Sequence, residues 1–519
     1  MSTAEADGTA VLDQSDAQDL AKFGYRQELH RSLGSFSSFA AGFSYISILT
    51  GVFQLFGFGF GLGGPAYWWS WPMVFIGQGA VAFCFAEMAG QYPIAGSVYQ
   101  WSKRVGSPLT SFLSGWIMVV GAIVTIAAVA VAYQVILPQI STGFEVMGSS
   151  ADAGLYSTPG GAKNAVVLAL GLVVFTTVVN LIGVKLMAKI NNFGVAVELT
   201  ASAVLVVMLA VHITRGPQVI LKTLGTGAGH TGGYFGAFMV AAIASAYVFY
   251  GFDTAGQLAE ETLEPRKHAP RAIMRAMLAA FVIGGLLMLF AMMSVKNISD
   301  SSIASLGLPY IIKQALGSGI GDVFLIASAI AITVCCLAVQ TACIRVMFSM
   351  SRDKRLPFSK YMANISPRSG VPKVPALVTG VTTILLLLLN IGNQKVFYTL
   401  VSIAIILFYV PYLCVTAPML LRRLRGGWPN ADHGPYYHLG RWGLPINVVA
   451  VVYGIFMIIN LAWPRTGVYG SGWYYQYGGI MYPALVVLLG GAYYVAKLKP
   501  AAEAEALTAG EPGATVQPT

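Results

Sequence analysis

The sequence predicts an all-α polytopic membrane protein with twelve transmembrane helices. Only 10% of its 519 residues are charged, whereas soluble globular chains average about 25%. Apolar residues make up 56% of the chain, and they are concentrated in long runs. A soluble chain of this length would form roughly three or four domains, each with its own charged surface. The charged residues here are too few to cover three or four such surfaces, which excludes a soluble enzyme and a disordered scaffold.

Twelve apolar segments are long enough to cross a bilayer as helices, since a crossing takes about 20 residues. Their apolar runs lack the alternation of a membrane β-barrel strand, which favours helices over strands. The predicted spans 1 to 12 are residues 34–56, 65–87, 108–138, 164–184, 190–213, 236–261, 272–295, 321–350, 374–391, 397–421, 445–463 and 479–497.

The basic residues predict how these spans are oriented. An even number of spans places both chain ends on one side, and 24 of the 31 Lys and Arg residues fall on that side. Because Lys and Arg are enriched in cytoplasmic loops, both termini are predicted to be cytoplasmic in a plasma-membrane protein. The net charge of +10 is explained by this asymmetry and by contact with lipid headgroups, so no nucleic-acid partner is predicted.

Polar segments flank the predicted membrane domain, which covers residues 31–499. Residues 1–30 form a polar, acid-rich cytoplasmic tail without the pattern of a signal peptide, and residues 500–519 form a disordered cytoplasmic tail. The five cysteines all lie in apolar runs, so we predict neither disulfides nor a metal site, and no cofactor.

Spans 1 and 6 are interrupted near their midpoints. Span 1 carries Ser47, Thr50 and Gly51 inside its apolar run, and span 6 carries Asp253 between Gly251 and another glycine. Interrupted segments at corresponding places in two halves of a chain mark the binding site of many transporters. The alternative is that these small residues only allow close helix packing.

Two carboxylates, Glu198 and Asp253, are predicted to lie deep within spans. A charge at that depth costs roughly 3 kcal/mol or more unless it is paired or reaches water. We therefore predict that they couple proton movement to transport, with a purely structural role as the alternative. Aromatic residues on the same spans, including Tyr247 and Tyr250 on span 6 and Phe408 and Tyr412 on span 10, predict helix packing or a lid over a bound cation.

Three acidic residues, Glu87, Glu260 and Glu261, lie near the predicted cytoplasmic ends of spans. Ion pairs with the nearby basic residues Arg266, Lys267 or Lys103 would satisfy them. Arg345 lies at the inner end of span 8, where it either reaches toward the membrane surface or pairs with an acid. Glu87, Glu260, Glu261 and Arg345 are therefore predicted to form a cytoplasmic gate.

Three motifs resemble those of the amino acid–polyamine–organocation (APC) superfamily of permeases. Residues 86–101 read AEMAGQYPIAGSVYQW and are similar to its A-E-L-A-S-x-Y-P-x-x-G-G-x-Y-x-W signature. Residues 251–273 begin with GFDTA, continue with AEETLEPRKHAPRAI, and resemble a second signature; residues 351–357, SRDKRLP, resemble a third. The resemblance covers about residues 31–499 and looks most like the amino acid/choline branch.

The resemblance implies a five-plus-five inverted repeat, the LeuT-like fold, with broken helices 1 and 6 and two additional C-terminal helices. Repeat one would cover about residues 34–213, repeat two about 236–421, and helices 11 and 12 about 445–497. It also implies a substrate site at the two breaks, in which Thr50 and Gly51 offer N–H groups to a carboxylate. The implied site residues are Ser47, Ile48, Thr50, Gly51, Val52, Tyr247, Tyr250, Gly251, Asp253 and Thr254.

Two departures from the family pattern bear on substrate and coupling. Leu49 replaces the first glycine of the family's G-S-G-x-F segment, which leaves room for a larger or non-carboxylate substrate. Glu198 occupies the place of a lysine that some members carry on helix 5, so a titrating proton or a bound cation would replace that fixed charge. The hydroxyl pair of sodium-coupled relatives is not evident near Thr333, which favours protons over sodium.

The predicted function is proton-coupled uptake of an amino acid or a related amine such as 4-aminobutyrate, choline or a polyamine, by alternating access. An exchanger of the same fold is the main alternative, and a sodium symporter or a substrate sensor is a further one. Enzyme motifs such as His-Glu-x-x-His are missing from the spans, so no enzyme is predicted. The expected partners are the small substrate, the coupling proton and the lipid bilayer, without a required protein partner.

Overall fold

The computed structural model describes residues 16–367, 369–389, 391, 396–429, 434–465, 468 and 472–508. Residues 1–15 and 509–519 of the two predicted tails lie outside these ranges. The named elements are helices, and one isolated bridge pairs Leu33 with Thr262. The longer helices and those at the site are α1 (Ser35–Ile46), α2 (Ile48–Gly63), α3 (Ser70–Gln91), α4 (Ser97–Val105), α5 (Pro108–Ala130), α6 (Tyr133–Ile140), α7 (Pro159–Ile182), α8 (Val184–Val211), α9 (Gly233–Val248), α10 (Thr254–Gln257), α11 (Pro265–Ser294), α12 (Ser302–Leu316), α13 (Ser318–Arg352), α14 (Lys373–Leu389), α15 (Val396–Leu424), α16 (Gly443–Ala462) and α17 (Gly478–Tyr493).

The helices confirm the predicted all-helical, membrane-spanning class. Ten helical stretches of the described chain are long and apolar enough to cross a membrane, judged by length and composition. Two shorter apolar helices, Gly233–Val248 and Lys373–Leu389, correspond to the predicted spans 6 and 9. Each of the twelve predicted segments overlaps one of these helices.

Spans 1 and 6 are interrupted where the sequence predicts. Span 1 is divided into α1 and α2 at Ser47, whose backbone has φ 33° and ψ 98°. Span 6 leaves the helical conformation after Val248, and the four-residue helix α10 follows at Thr254. The backbone at Gly251 has a φ of +83°, which glycine adopts without the strain that a side chain would cause.

The broken spans lie at the centre of the helix bundle. The most apolar windows of spans 1 and 3 are 83% buried, whereas those of spans 11 and 12 are 39% and 17% buried. Helix α2 packs against α9, and α8 packs against both α1 and α13. Because these contacts join the two broken spans and the span that carries Glu198, they place the predicted site residues in one region.

The described parts of the two predicted tails, residues 16–33 and 499–508, have defined structure. Residues 16–33, which we call the N-terminal strap, lie against the membrane domain with Leu20 and Leu29 buried. Lys499–Thr508 is helical where the sequence analysis predicts a disordered tail. Alanine, glutamate and leucine have high helix propensities, which accounts for this extension. The side of the bundle covered by the strap is called the terminal face below.

Candidate functional site

The break in span 1 is organised by Ser47. Its hydroxyl oxygen accepts a hydrogen bond of 3.3 Å from the Thr50 N–H and lies 2.6 Å from the Thr50 hydroxyl. The Ser47 carbonyl accepts the Gly51 N–H at 3.0 Å. Serine in this position satisfies N–H groups that a helix otherwise leaves unpaired. The N–H groups of Thr50 and Gly51, expected to be open to a substrate carboxylate, therefore have partners within the chain.

A carboxylate of the protein itself lies at the start of α2. Glu198 extends from α8, and its Oε1 accepts bonds from the Ser47 hydroxyl at 2.9 Å and from the Leu49 N–H at 3.0 Å. The residue is completely buried. The partial positive charge of a helix N-terminus stabilises an anion in this place. Its other oxygen, Oε2, has no hydrogen-bond partner among the described residues.

Asp253, at the break in span 6, is held by three side-chain donors. Its Oδ1 accepts the Tyr412 hydroxyl at 2.6 Å, and its Oδ2 accepts the Ser97 hydroxyl at 2.7 Å and the Gln257 amide at 2.8 Å. The Tyr412 oxygen in turn accepts the Gly251 N–H at 2.8 Å. Hydrogen bonds to an ionised group are stronger than neutral ones. This network therefore fixes the broken span 6 against α4 and α15.

Four aromatic rings meet between the two breaks, and we call them the aromatic cluster: Tyr45, Tyr247, Tyr250 and Phe408. The Tyr250 ring centre lies 4.8 Å from Phe408, 5.7 Å from Tyr247 and 6.1 Å from Tyr45. The Tyr250 hydroxyl is 3.2 Å from the Thr125 hydroxyl, whereas those of Tyr45 and Tyr247 are buried without a partner among the described residues. The cluster thus combines aromatic faces with two unused polar groups.

The remaining predicted site residues complete the two breaks. Ile48 and Val52 are buried in the first turns of α2, and the Thr254 hydroxyl donates to the Gly251 carbonyl at 2.7 Å. A cavity of about 10 Å³ adjoins the breaks and is lined in part by Gly51 and Val52. That volume holds about one water molecule, so this cavity must widen before a substrate enters it.

Two buried ion pairs connect span 8 to the segment after α10. Both oxygens of Glu260 accept bonds from the Arg352 guanidinium, at 2.7 and 2.9 Å, and Oε1 also accepts the Ala95 N–H. Glu261 Oε1 accepts bonds from Arg345 Nε at 2.9 Å and Nη2 at 2.7 Å. The side chains of Glu261 and Arg345 are each 1% exposed, so water does not screen this pair.

Glu87 forms a third buried ion pair on the same face. It contacts the Arg423 guanidinium and accepts bonds of 3.1 Å from the Trp428 indole and the Leu439 N–H. The partners of Glu87, Glu260 and Glu261 are therefore not the predicted Arg266, Lys267 or Lys103. The three acids are also buried rather than close to water, because helices distant in sequence pack over them.

The N-terminal strap covers these ion pairs. The Tyr25 hydroxyl donates to Asp353 at 2.9 Å, and the Arg352 guanidinium lies 4.1 Å from the centre of the Tyr25 ring. The backbone N–H of Leu33 donates to the Glu261 carbonyl. Burial alone would raise the pKa of Asp353, but Lys103, 2.7 Å away, and the neighbouring hydroxyl groups hold that pKa below its usual range. The three motifs found in the sequence meet here, beneath the strap.

Several residues that form these contacts could not be recognised from the sequence. Arg423 contributes to the basic-residue asymmetry, but the sequence gives no sign of its pairing with Glu87 or of the place of Tyr45 in the aromatic cluster. The sequence places Tyr412 among the aromatic residues of span 10 but does not predict its bond to Asp253. Arg352 had a detectable signal, because it lies in the third motif. The others had none, since nothing in the spacing shows which faces of spans 1 and 10 turn inward.

Related sequences identify the family of this chain. The profile of the family described as "Amino acid permease" matches residues 33–486. Similar relatives include the amino-acid permease BAT1 of Arabidopsis thaliana, 26% identical with 88% of this chain and 89% of the relative covered. The branched-chain amino acid permease BcaP of Bacillus subtilis is 26% identical over 88% of this chain and 93% of its own. The thiamine transporter thi9 of Schizosaccharomyces pombe is 26% identical over 93% and 85%.

A solved structure supports the same assignment at the level of fold. The crystal structure of MhsT in complex with L-phenylalanine aligns with a TM-score of 0.61 at 14% identity, covering 84% of this chain and 99% of that one. At this identity the likeness concerns the fold alone, and it confirms the predicted LeuT-like architecture. A profile match across most of the chain establishes the family, whose members are transporters rather than enzymes. The chain therefore belongs to the amino acid permease family, as its broken helices and three motifs predict.

Proposed function

We propose that this permease is a secondary-active transporter that takes up an amino acid or a related amine by alternating access, coupled to proton movement. The observation that carries the proposal is the pair of buried carboxylates, Glu198 and Asp253, one at each helix break. A carboxylate at the site of movement can bind and release a proton when its surroundings change. The relatives are named for the transport of amino acids or thiamine, which agrees with a small nitrogenous substrate for this chain.

The basic-residue asymmetry assigns the terminal face to the cytoplasm of a plasma-membrane protein. In that orientation the three buried ion pairs and the strap close the cytoplasmic side in this conformation. Opening this side would separate Glu261 from Arg345 and Glu260 from Arg352, and would release the strap. In alternating access these contacts break as the cytoplasmic side opens, and the opposite side of the membrane domain closes.

Transport in proteoliposomes tests the coupling. Leucine, 4-aminobutyrate, choline and spermidine are first screened by thermal shift, and the compounds that bind are radiolabelled. We expect an inward proton gradient to drive accumulation by the wild type. Asp253→Asn and Glu198→Gln should each lower that accumulation about tenfold or more, because neither amide titrates. Asp253→Asn should still support counterflow, which needs no net proton movement.

The matched control is Glu503→Gln, since Glu503 lies at the exposed C-terminal end with 64% of its side chain accessible. This variant should accumulate substrate like the wild type. Unchanged accumulation in both site variants would remove the two carboxylates from the coupling step. Wild-type counterflow without any response to the proton gradient would establish the exchanger instead.

A further inference from the structure

The start of α2 already holds one carboxylate. Helix N-termini bind anions through N–H groups that the helix leaves free. Here the Leu49 N–H donates to Glu198, the Thr50 N–H donates to the Ser47 hydroxyl, and the Gly51 N–H donates to the Ser47 carbonyl. A substrate carboxylate in this place would lose those donors and would be repelled by Glu198 at short range.

Three buried polar atoms near the breaks lack a partner among the described residues: Glu198 Oε2 and the hydroxyl oxygens of Tyr45 and Tyr247. Each of them can accept a hydrogen bond. Buried polar groups without partners are rare in folded proteins because their desolvation is not repaid. Such a group in a binding region marks a place for a ligand atom. An ionised Glu198 carboxylate can only accept, so it calls for a ligand that donates, and the two tyrosine hydroxyls can accept from the same ligand.

The Cys335 thiol on α13 lies next to the residues that carry these atoms. It lies 3.5 Å from the Tyr45 carbonyl, which accepts its hydrogen bond. Tyr45 lies two residues before Ser47, which donates to Glu198, and the Tyr45 and Tyr247 rings both pack on Tyr250, so the three unpaired atoms belong to residues of one region between the two breaks.

The charge balance of this region favours a cation, since both deep carboxyl groups lack a basic partner among the described residues. The hydrogen-bond partners of Glu198 and Asp253 within the described chain are hydroxyl, amide and backbone groups, without a basic side chain. The Tyr412 hydroxyl from α15, which faces Asp253, is likewise not basic. Aromatic faces nearby add attraction for a cation. A buried carboxylate without a basic partner is stabilised by a cation that enters with the ligand.

We propose that the substrate is recognised through a cationic nitrogen that pairs with Glu198, and that the start of α2 does not bind a substrate carboxylate. The inference rests on the proposed transport function and narrows its substrate to amines, quaternary ammonium compounds, and amino acids whose carboxylate lies far from the cationic group. Asp253, whose oxygens already have three donors, then remains the proton-coupling group.

Matched ligand pairs test this on the purified wild-type protein. Each pair consists of an α-amino acid without a second amino group and the amine that remains when its carboxylate is removed: phenylalanine with 2-phenylethylamine, and leucine with 3-methylbutylamine. Binding is measured by thermal shift and by isothermal titration. For at least one pair, we expect the amine to bind as tightly as the amino acid or more tightly. Affinities about tenfold or more higher for the amino acid in every binding pair would overturn the proposal.

Two variants test the assigned atoms. Glu198→Gln should weaken amine binding by about tenfold or more, because the bond to a charged acceptor is lost, whereas Glu503→Gln should bind like the wild type. Tyr247→Phe removes a hydroxyl that has no partner in the described protein, so it should fold normally yet bind the amine a few times more weakly. If Glu198→Gln does not fold, Tyr247→Phe and the ligand pairs measured on the wild type still test the proposal.

These results separate the substrate proposal from the transport proposal. If Glu198→Gln binds the amine like the wild type but loses proton-driven accumulation, Glu198 carries only the proton; the counter-ion proposal is then overturned and the transport proposal stands. If the wild type neither binds nor transports any compound tested, both proposals fail.

Discussion

Replacing Arg345 with methionine should destabilise the conformation seen here by about 3–5 kcal/mol, the usual result of leaving a buried charge without its partner. Glu261 has an exposed side-chain fraction of 1%, and Arg345 is its ion-pair partner. The expected result is a lower unfolding temperature and a terminal face that opens more often. Opening is measured by the rate at which a thiol reagent labels a cysteine introduced at Ser351, which is 2% exposed.

Two further variants give this experiment its controls. Arg275→Met makes the same chemical change at an exposed position of α11 and should change neither stability nor labelling. The double variant Glu261→Gln with Arg345→Met should recover much of the lost stability, since no unpaired charge remains buried. If Arg345→Met is as stable as Arg275→Met and is labelled at the same rate, the ion pair between Glu261 and Arg345 does not hold the terminal face closed.

Gly251→Ala should abolish transport and lower stability by several kcal/mol. The φ of +83° costs an alanine about 1–2 kcal/mol. A Cβ atom would also lie 1.8 Å from a carbon of the Tyr45 ring, and forced overpacking in a core adds about 1–3 kcal/mol. Because Tyr45 belongs to the aromatic cluster, its displacement should disturb the site as well as the fold. Unfolding temperature and counterflow measure the two effects.

Gly171→Ala is the matched control. Gly171 lies within α7, and an added Cβ would meet no atom within 4 Å. Alanine is favoured over glycine inside a helix by about 1 kcal/mol, so this variant should be as stable as the wild type or slightly more stable. A Gly251→Ala protein that transports like Gly171→Ala would show that Tyr45 moves aside freely and does not shape the site.

The positions of the spans and their interruptions could be read from the sequence because they depend on local composition. Long apolar runs predict the helices, and Ser47, Gly251 and the neighbouring small or polar residues mark the two breaks. The depth of Glu198 and Asp253 follows in the same way, since each is surrounded by apolar residues along the chain. The APC motifs likewise imply the fold through the resemblance, without reference to any contact.

The contacts of these residues were decided only by the tertiary structure. Glu198 reaches Ser47 across 151 positions of sequence, and Glu87 reaches Arg423 across 336. Which residues meet depends on the rotation and tilt of each helix against its neighbours, and apolar spans surrounded by lipid leave these poorly specified in their local pattern. The sequence by itself determined that this chain is a helical membrane permease with two charges at depth. Helix packing places the Glu198 carboxyl group at the start of α2, because α8 lies against the break in span 1.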